Sequence, residues 1–356
     1  MTEKKVLIAM SGGVDSAVCA YLLTRDGYNA QGVTMKLWSD TETVEDGSCP
    51  LPDQNCLDAK AVADHLGIPH LSVALGETFR RTVVEPFIQT YADGGTPNPC
   101  VNCNRCLKFG KLMELAKELG DSHLATGHYA RIEQAPTGEY LLKKAKDPDK
   151  DQSYFLWGIR KEYLSHILFP LGDYTKAEIR EIAKEQRLPA AHRSDSQDIC
   201  FIPDGDYISF IEQHSDLSFP EGDFISPDGQ VLGKHSGLIR YTVGQRKGLG
   251  IALGQPAFVA SKNATDNTVT LCSDAELYRD TLTANHLNLL TDETFDQPRR
   301  VCAKIRYRHT PAPATVTRID NDRVSVIFDH PQRAIAPGQS LVLYDDDVVL
   351  GGGIIE

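Results

Sequence analysis

The chain is short of several things, and each shortage closes off a class. None of its 356 residues falls in an apolar run near the ~20 that a membrane helix needs, so no span is read. The opening MTEKKVLIAM passes from two lysines straight into a strand-like segment, without a leader-length apolar region or cleavage signal, which predicts a cytoplasmic protein with no membrane partner. Nine cysteines in a chain this long are too sparse for a disulfide scaffold. Positive charge is also scarce: 37 Lys and Arg stand against 49 Asp and Glu, a net charge of −12, which argues against a protein that coats nucleic acid indiscriminately. Repeats and low-complexity tracts are absent as well, so solenoid and array folds fall away.

What remains is globular, with 41% hydrophobic and 24% charged residues and length enough for two or three cores. The first ~200 residues alternate strand-like and helix-like segments (VLIAM, a helix from Ser16 to Asp26 closed by Gly27, AQGVTMKL, CLDAKAVADHLG, HLSVAL), the pattern of an α/β domain with a largely parallel sheet. ETFRRTVVEPFIQTY and LKFGKLMELAKELG read as helices around a cysteine turn, HLATGH as a strand, and GEYLLKKAKDPDKDQSYFLW as a hairpin-like excursion. YTKAEIREIAKEQRLP carries a capping box, Thr175 with Glu178 three residues on. Beyond about residue 205 short alternating runs broken by SPDGQ and PGQ turns predict β structure. The expected organisation is an α/β domain over 1–205, a small β-rich domain over 206–280 and a C-terminal β-barrel over 281–356.

The strongest motif is AMSGGVDS, Ala9 to Ser16, between a strand and a helix. Gly12 and Gly13 let backbone amides approach an anion, Ser11 and Ser16 add hydroxyls, and the helix N-terminus offers its positive dipole end to the stretch from Ala9 and Met10 through Val14 to Ser16. A polyphosphate suits such a cradle. The lysine of a GxxxxGK[ST] loop is missing, so γ-phosphate kinase chemistry is not implied, and Asp15 suits Mg²⁺ bridging phosphates. A bare glycine turn is the bland alternative. A nucleotide on an open α/β sheet lies over the carboxyl ends of strands, which makes Met35 and Gly127 its expected adenine and ribose neighbours.

TPNPCVNCNRCLKF spaces Cys100, Cys103 and Cys106 by three residues, and Cys200 lies in SQDICFIP. Cys19, Cys272 and Cys302 sit among apolar neighbours and read as small core residues; Cys49 and Cys56 flank a loop. C-x-x-C-x-x-C overlaps iron–sulfur ligand runs, so Cys100, Cys103 and Cys200 could hold three corners of a cluster, whereas no second pair completes a zinc site. Thiolate or persulfide chemistry, or a structural thiol turn, fits the same residues. Between Arg299 and Arg333, eight basic residues against three aspartates make a local basic island, and Arg306, Tyr307 and Arg308 join charge to a stacking face suited to unpaired RNA.

SGGVDS alone resembles the PP-loop of ATP pyrophosphatases. SGGVDS, TPNPCVNCNRCLKF, LATGHYAR, KDQSYFLW, SQDICFIP, YTVGQRKGLG and RYRH, in that order and nearly end to end, resemble the tRNA-specific 2-thiouridylase family. The resemblance implies an ATP-dependent tRNA-uridine 2-sulfurtransferase: adenylation of the C2 oxygen of a wobble uridine, then replacement by sulfur relayed from a cysteine desulfurase. By position Cys200 would carry the persulfide, and Cys103 would be the nucleophile that helps release its sulfur, leaving a Cys103–Cys200 disulfide. His128, Lys150, Asp151, Gln152 and Gln339 match positions that touch tRNA in the family, and Asn98, beside the cysteines, is a candidate pocket group for a base that must leave its stack to reach ATP. One departure stands out: many members have aspartate where this chain has Cys100, which puts a general-base role at that position in doubt. Two other readings are carried: a PP-loop ligase acting on a small molecule, and a non-catalytic metal module that binds RNA.

Overall fold

The computed structural model describes residues 4–37, 54–193 and 199–356, which pack as two compact units. The first comprises the described residues within 1–83, 100–197 and 347–349. Its strands β1 (Lys5–Ala9), β2 (Asn29–Lys36), β3 (His70–Ala74), β4 (His123–Thr126) and β7 (Ile167–Leu168) form a parallel sheet in the order β3-β2-β1-β4-β7. A parallel sheet covered on its faces must be apolar throughout, and Val6, Leu7 and Ile8 are fully buried. Helices α1 (Val14–Arg25) and α2 (Gln54–Leu66) supply crossovers. Strand order runs outward from β1 in both directions, so the chain reverses beside β1 and β4. The crevice at the carboxyl ends of those two strands is where such sheets take ligands.

The two long helices expected on either side of the cysteines are irregular. The first runs as α3 (Gly76–Phe79), a π-helical stretch (Arg80–Val84) and α4 (Glu85–Ala92). The second runs as α5 (Pro99–Asn102), a π-helical stretch (Cys103–Lys111) and α6 (Leu112–Glu118). The cysteines therefore lie on a helix rather than in the expected turn. β5 (Arg131–Gln134) and β6 (Tyr140–Lys143) form the expected hairpin, antiparallel and in register from Arg131 with Lys143 to Gln134 with Tyr140. Asp347, from the far end of the chain, accepts from Arg131 and Lys143 at 2.8 and 3.0 Å. α7 (Lys176–Glu185) opens on the expected box: the Thr175 hydroxyl accepts from the Glu178 amide, and Glu178 accepts from the Thr175 amide at 2.6 Å. Ile179 and Ala183 of α7 share a core with Val14, Ala17 and Val18 of α1.

The second unit comprises the described residues within 84–99, 198–346 and 350–356. The segment 84–99 packs here because its aromatics do. Phe87 meets Phe201 and Phe210 at 5.5 and 6.5 Å, and Tyr91 stacks on Tyr207 at 4.7 Å. Phe210 and Tyr207 belong to α8 (Tyr207–Gln213). β8 (Gly222–Ile225), β9 (Val231–His235), β10 (Phe258–Asn263) and β11 (Thr268–Cys272) make a four-stranded sheet, order β10-β11-β8-β9, around Phe224, Tyr241, Val259 and Val269. β12 (Tyr278–Leu289), β15 (Val324–Arg333), β14 (Ala312–Arg318), β13 (Arg299–Lys304), β16 (Ser340–Asp345) and β17 (Val348–Ile355) neighbour one another in that order. β17 pairs back with β12, which closes the sheet into a barrel and removes its edges. Among the described residues no helix is long and apolar enough to cross a membrane.

Candidate active site

The phosphate loop follows β1 directly. Met10 is buried, and Ser11 donates its amide to the Ser16 hydroxyl oxygen at 3.2 Å, while Ser16 Oγ donates to the Gly13 carbonyl at 3.0 Å. These bonds curl the loop over the start of α1, for which Gly13 is the N-cap without a side-chain cap, leaving its first amides for an anion. Gly12 is required twice: its φ is +75°, and a Cβ there would lie 2.8 Å from the Asn55 carbonyl oxygen. Gly127, just past β4, lies against the same turn; a Cβ would come within 2.8 Å of the Asp15 carbonyl carbon and 3.0 Å of the Ser16 nitrogen. Loop and Gly127 thus meet at the strand-order reversal. Met35 is half-buried near the end of β2.

Asp15 has partners that the motif did not announce. Lys176 Nζ donates to both its carboxylate oxygens, at 2.8 and 2.9 Å, and the Tyr129 hydroxyl donates to Oδ1 at 2.8 Å. Arg193 donates to the Gly12 carbonyl at 3.2 Å and to Asp58 and Asn55 at 2.5 and 2.6 Å. These contacts span 114 to 181 residues of sequence, which no local pattern reports. One signal was present: Lys176 occupies the first helical position after Thr175, where the helix dipole disfavours a cation.

In the first unit the cysteine helix places its thiols differently. Cys100 is exposed, Cys103 is 8% exposed and Cys106 is half-buried. Gly158 lets the turn after SYFLW come close, since a Cβ there would stand 3.2 Å from Val101 Cγ1. Asn104, 3% exposed, donates to the Phe155 carbonyl at 2.9 Å, while its Oδ1 is buried without a hydrogen-bond partner. π-Helical turns of this kind gather at functional sites.

The expected RNA contacts are unevenly exposed. His128 is buried between Phe109 and Phe169, and burial, with the Lys108 charge adding, pushes its pKa well below the usual imidazole value. Neutral His128 therefore accepts from Lys108 Nζ at Nε2, 3.3 Å away, and donates from Nδ1 to Thr126 Oγ1 at 2.6 Å. Asp151 is 7% exposed and accepts from the Ala145 amide and the Ser153 hydroxyl, and Gln152 Oε1 accepts from the Tyr129 amide at 2.9 Å. Asp151 and Gln152 hold the excursion in shape, and His128 links the cysteine helix to β4; Lys150 is half-exposed.

In the second unit Cys200 is exposed, next to Phe201, which packs on Phe87; the residues just before Ile199 in SQDICFIP, like Cys49, lie outside the described residues. Asn98 is half-exposed. Gln339 donates to the Thr96 and Pro97 carbonyls at 3.2 and 3.4 Å, steadying the loop that carries Asn98. The basic island is largely paired. Arg300 donates to both oxygens of Asp329, Arg323 to Asp320, Arg333 to Asp274, and Arg299 pairs with Glu293 and Asp345. Arg306 donates to the Arg333 and Ala334 carbonyls, Lys304 lies over the Tyr307 ring at 5.5 Å, and Arg308 is exposed. The cationic face is therefore narrower than composition suggested. Cys19 and Cys272 are buried as expected, and Cys302 is half-buried; burial, then the Asp15 charge, pushes the Cys19 pKa far up. Among the described residues no group of three or more His, Cys, Asp or Glu is placed to hold a metal ion.

Three family models match in succession: a tRNA methyl transferase HUP domain over residues 4–204, a tRNA methyl transferase PRC-barrel domain over 208–273 and an aminomethyltransferase β-barrel domain over 279–355. The tRNA-specific 2-thiouridylase MnmA of Clostridioides difficile is 47% identical, covering 99% of this chain and 98% of that one. Those of Acetivibrio thermocellus and Clostridium perfringens are 46% and 45% identical, each covering 100% of this chain and 100% and 99% of their own.

Proposed function

The chain belongs to the tRNA-specific 2-thiouridylase family, whose members are ATP-dependent tRNA sulfurtransferases, and on that premise we propose how its residues divide the work. The protein thiolates a tRNA uridine at C2 at the expense of ATP. The observation that carries this reading is the cradle at the strand-order reversal, where the Ser11–Ser16 loop opens α1 without a side-chain cap and Gly127 packs against the backbone of its turn, an arrangement suited to a polyphosphate. Ala9 to Ser16, Met35 and Gly127 hold ATP. Asp15 fits Mg²⁺, which takes one or two carboxylates and completes its shell with substrate phosphates and water; bound there, it would offset phosphate charge.

The wobble uridine is the target, and its C2 oxygen attacks the α-phosphorus, releasing pyrophosphate. Cys200, exposed and next to an anchored phenylalanine, accepts a persulfide sulfur from a cysteine desulfurase relay. That terminal sulfur attacks C2. Cys103 attacks the inner sulfur, AMP departs with the former C2 oxygen, and a Cys103–Cys200 disulfide remains for a reductant to reopen. Cys100, a thiol in place of a carboxylate, assists at the rim. Asn98 reaches the flipped base, Lys150, Tyr307 and Arg308 meet the RNA, and Gln339, Gln152, Asp151 and His128 support those contacts from behind. Work of this kind belongs in the cytoplasm, where tRNA and ATP are found.

Anaerobic purification with iron and acid-labile sulfide analysis, beside thiolation assays fed with persulfidated donor or free sulfide, tests the relay. Little iron, donor-dependent turnover and loss of thiolation in both Cys103→Ser and Cys200→Ser, with ATP binding kept, are expected. Stoichiometric iron whose removal abolishes activity would replace the relay with a cluster on Cys100, Cys103 and Cys200.

A further inference from the structure

The phosphate loop carries no lysine, yet a polyphosphate that loses pyrophosphate needs a cation beside it. Within the first unit Lys176 is brought to the loop from 161 residues away, with both Asp15 oxygens within 2.9 Å of Nζ. Its side chain is 12% exposed, and Nζ lies 5.8 Å from the Tyr129 ring centroid, while the Tyr129 hydroxyl binds the same carboxylate. Its backbone is equally fixed. Lys176 donates its amide to Asp147 at 3.0 Å, Thr175 and Glu178 cap the helix, and Ile179 and Ala183 lock α7 onto α1. A long flexible side chain loses conformational entropy when held this way, at a helix start that disfavours positive charge. Its placement at the loop offsets both costs.

We infer that Lys176 is the phosphate-binding cation of this loop: it neutralises Asp15 in the ligand-free protein and turns to the β- and γ-phosphate oxygens when ATP enters. It acts as a catalytic residue by contact with the leaving group. During adenylation a bond forms between the uridine oxygen and the α-phosphorus while the bond from that phosphorus to the bridging oxygen breaks. The electron pair leaves with pyrophosphate, whose charge Lys176 meets without giving up a proton. The inference rests on the reading of this loop as an ATP site.

Equilibrium binding of ATP, pyrophosphate and AMP to the full chain tests it, in wild type, Lys176→Met, Lys176→Arg, Asp15→Asn and the Asp15→Asn/Lys176→Met pair. Lys176→Met is expected to weaken ATP and pyrophosphate by about tenfold or more, the worth of one charge-assisted hydrogen bond, and AMP by less than about twofold. Lys176→Arg should recover most of the loss. In the Asp15→Asn background the lysine should still be worth about tenfold; no loss there means that it only neutralises Asp15, and the inference falls. Equal losses for ATP and AMP would likewise reduce Lys176 to a structural residue. Wild type that binds none of the three overturns the ATP site itself, whereas wild-type binding left intact in Lys176→Met overturns the lysine alone.

Discussion

The side-chain amide of Gln339 donates to the Thr96 carbonyl at 3.2 Å across 243 residues of sequence, joining a turn of the barrel to the loop that leads into the cysteines. The Thr96 amide returns a bond to the Pro337 carbonyl at 2.8 Å, and Gly338, at φ +87°, leaves no space for a side chain between them. Gln339→Ala removes two donations and keeps the backbone bond. Amide exchange at Thr96 and Asn98 should speed up by about fivefold, since one neutral hydrogen bond is worth about 1 kcal/mol, and thiolation should fall while ATP binding holds. Unchanged exchange would show that the backbone bond alone fixes the loop.

Gly127→Ala places a methyl against the backbone of Asp15 and Ser16, atoms that cannot step aside as a flexible side chain can. Overpacking of this sort costs about 1–3 kcal/mol, and here it displaces the amides that would meet phosphate. Calorimetry should show both a lower melting temperature and ATP binding weakened by about tenfold or more. A variant with wild-type ATP affinity would remove Gly127 from the site.

Arg308 and Arg300 provide a matched pair. Arg308 is exposed, whereas both Arg300 terminal nitrogens are held by Asp329. If the barrel meets RNA backbone, Arg308→Ala should weaken tRNA binding and lower the slope of log affinity against log salt by about 1, with Arg300→Ala changing it much less. Equal effects would mean that ion pairing does not withhold Arg300 from RNA.

Lys262 donates to the Gly95 and Tyr241 carbonyls at 3.2 and 2.8 Å and lies over Tyr91. Burial brings its pKa down to about 8 from 10.5. Below pH 8 both folded and unfolded chains hold this proton, and the folded chain bears the full cost of a desolvated ammonium. Between about 8 and 10.5 the unfolded chain binds more protons, so this contribution to stability rises with pH, by at most about 3 kcal/mol. Denaturant unfolding of wild type and Lys262→Met should show wild type gaining on the variant across that window. A constant difference would mean that the carbonyls and ring keep the ammonium as comfortable as water does.

Local order was legible where the physics is local. The Thr175–Glu178 box, the βαβ alternation and the glycine loop all depend on residues within a few positions of each other, and all three appear in the structure. What escaped was set by packing across long stretches of chain. Cys100 to Cys106 looked like a turn because Thr96, Pro97, Asn98 and Pro99 precede them, yet the chain forms a helix that widens to π geometry at Cys103. The basic island looked cationic because Asp274, Glu293 and Asp345, which answer Arg333 and Arg299, lie outside the counted segment. Lys176 was hidden for the same reason: its partner is near the other end of the domain's sequence.

Asp347 to Val349 pack with the first unit, although Asp347 lies 216 residues beyond its partner Arg131 in sequence. Arg131 and Lys143 meet that carboxylate only once the residues between, 144 to 346, have been made. The first unit is thus completed only after most of the second has been made, so a chain stopped before Asp347 carries a first unit missing one of its own anchoring charges.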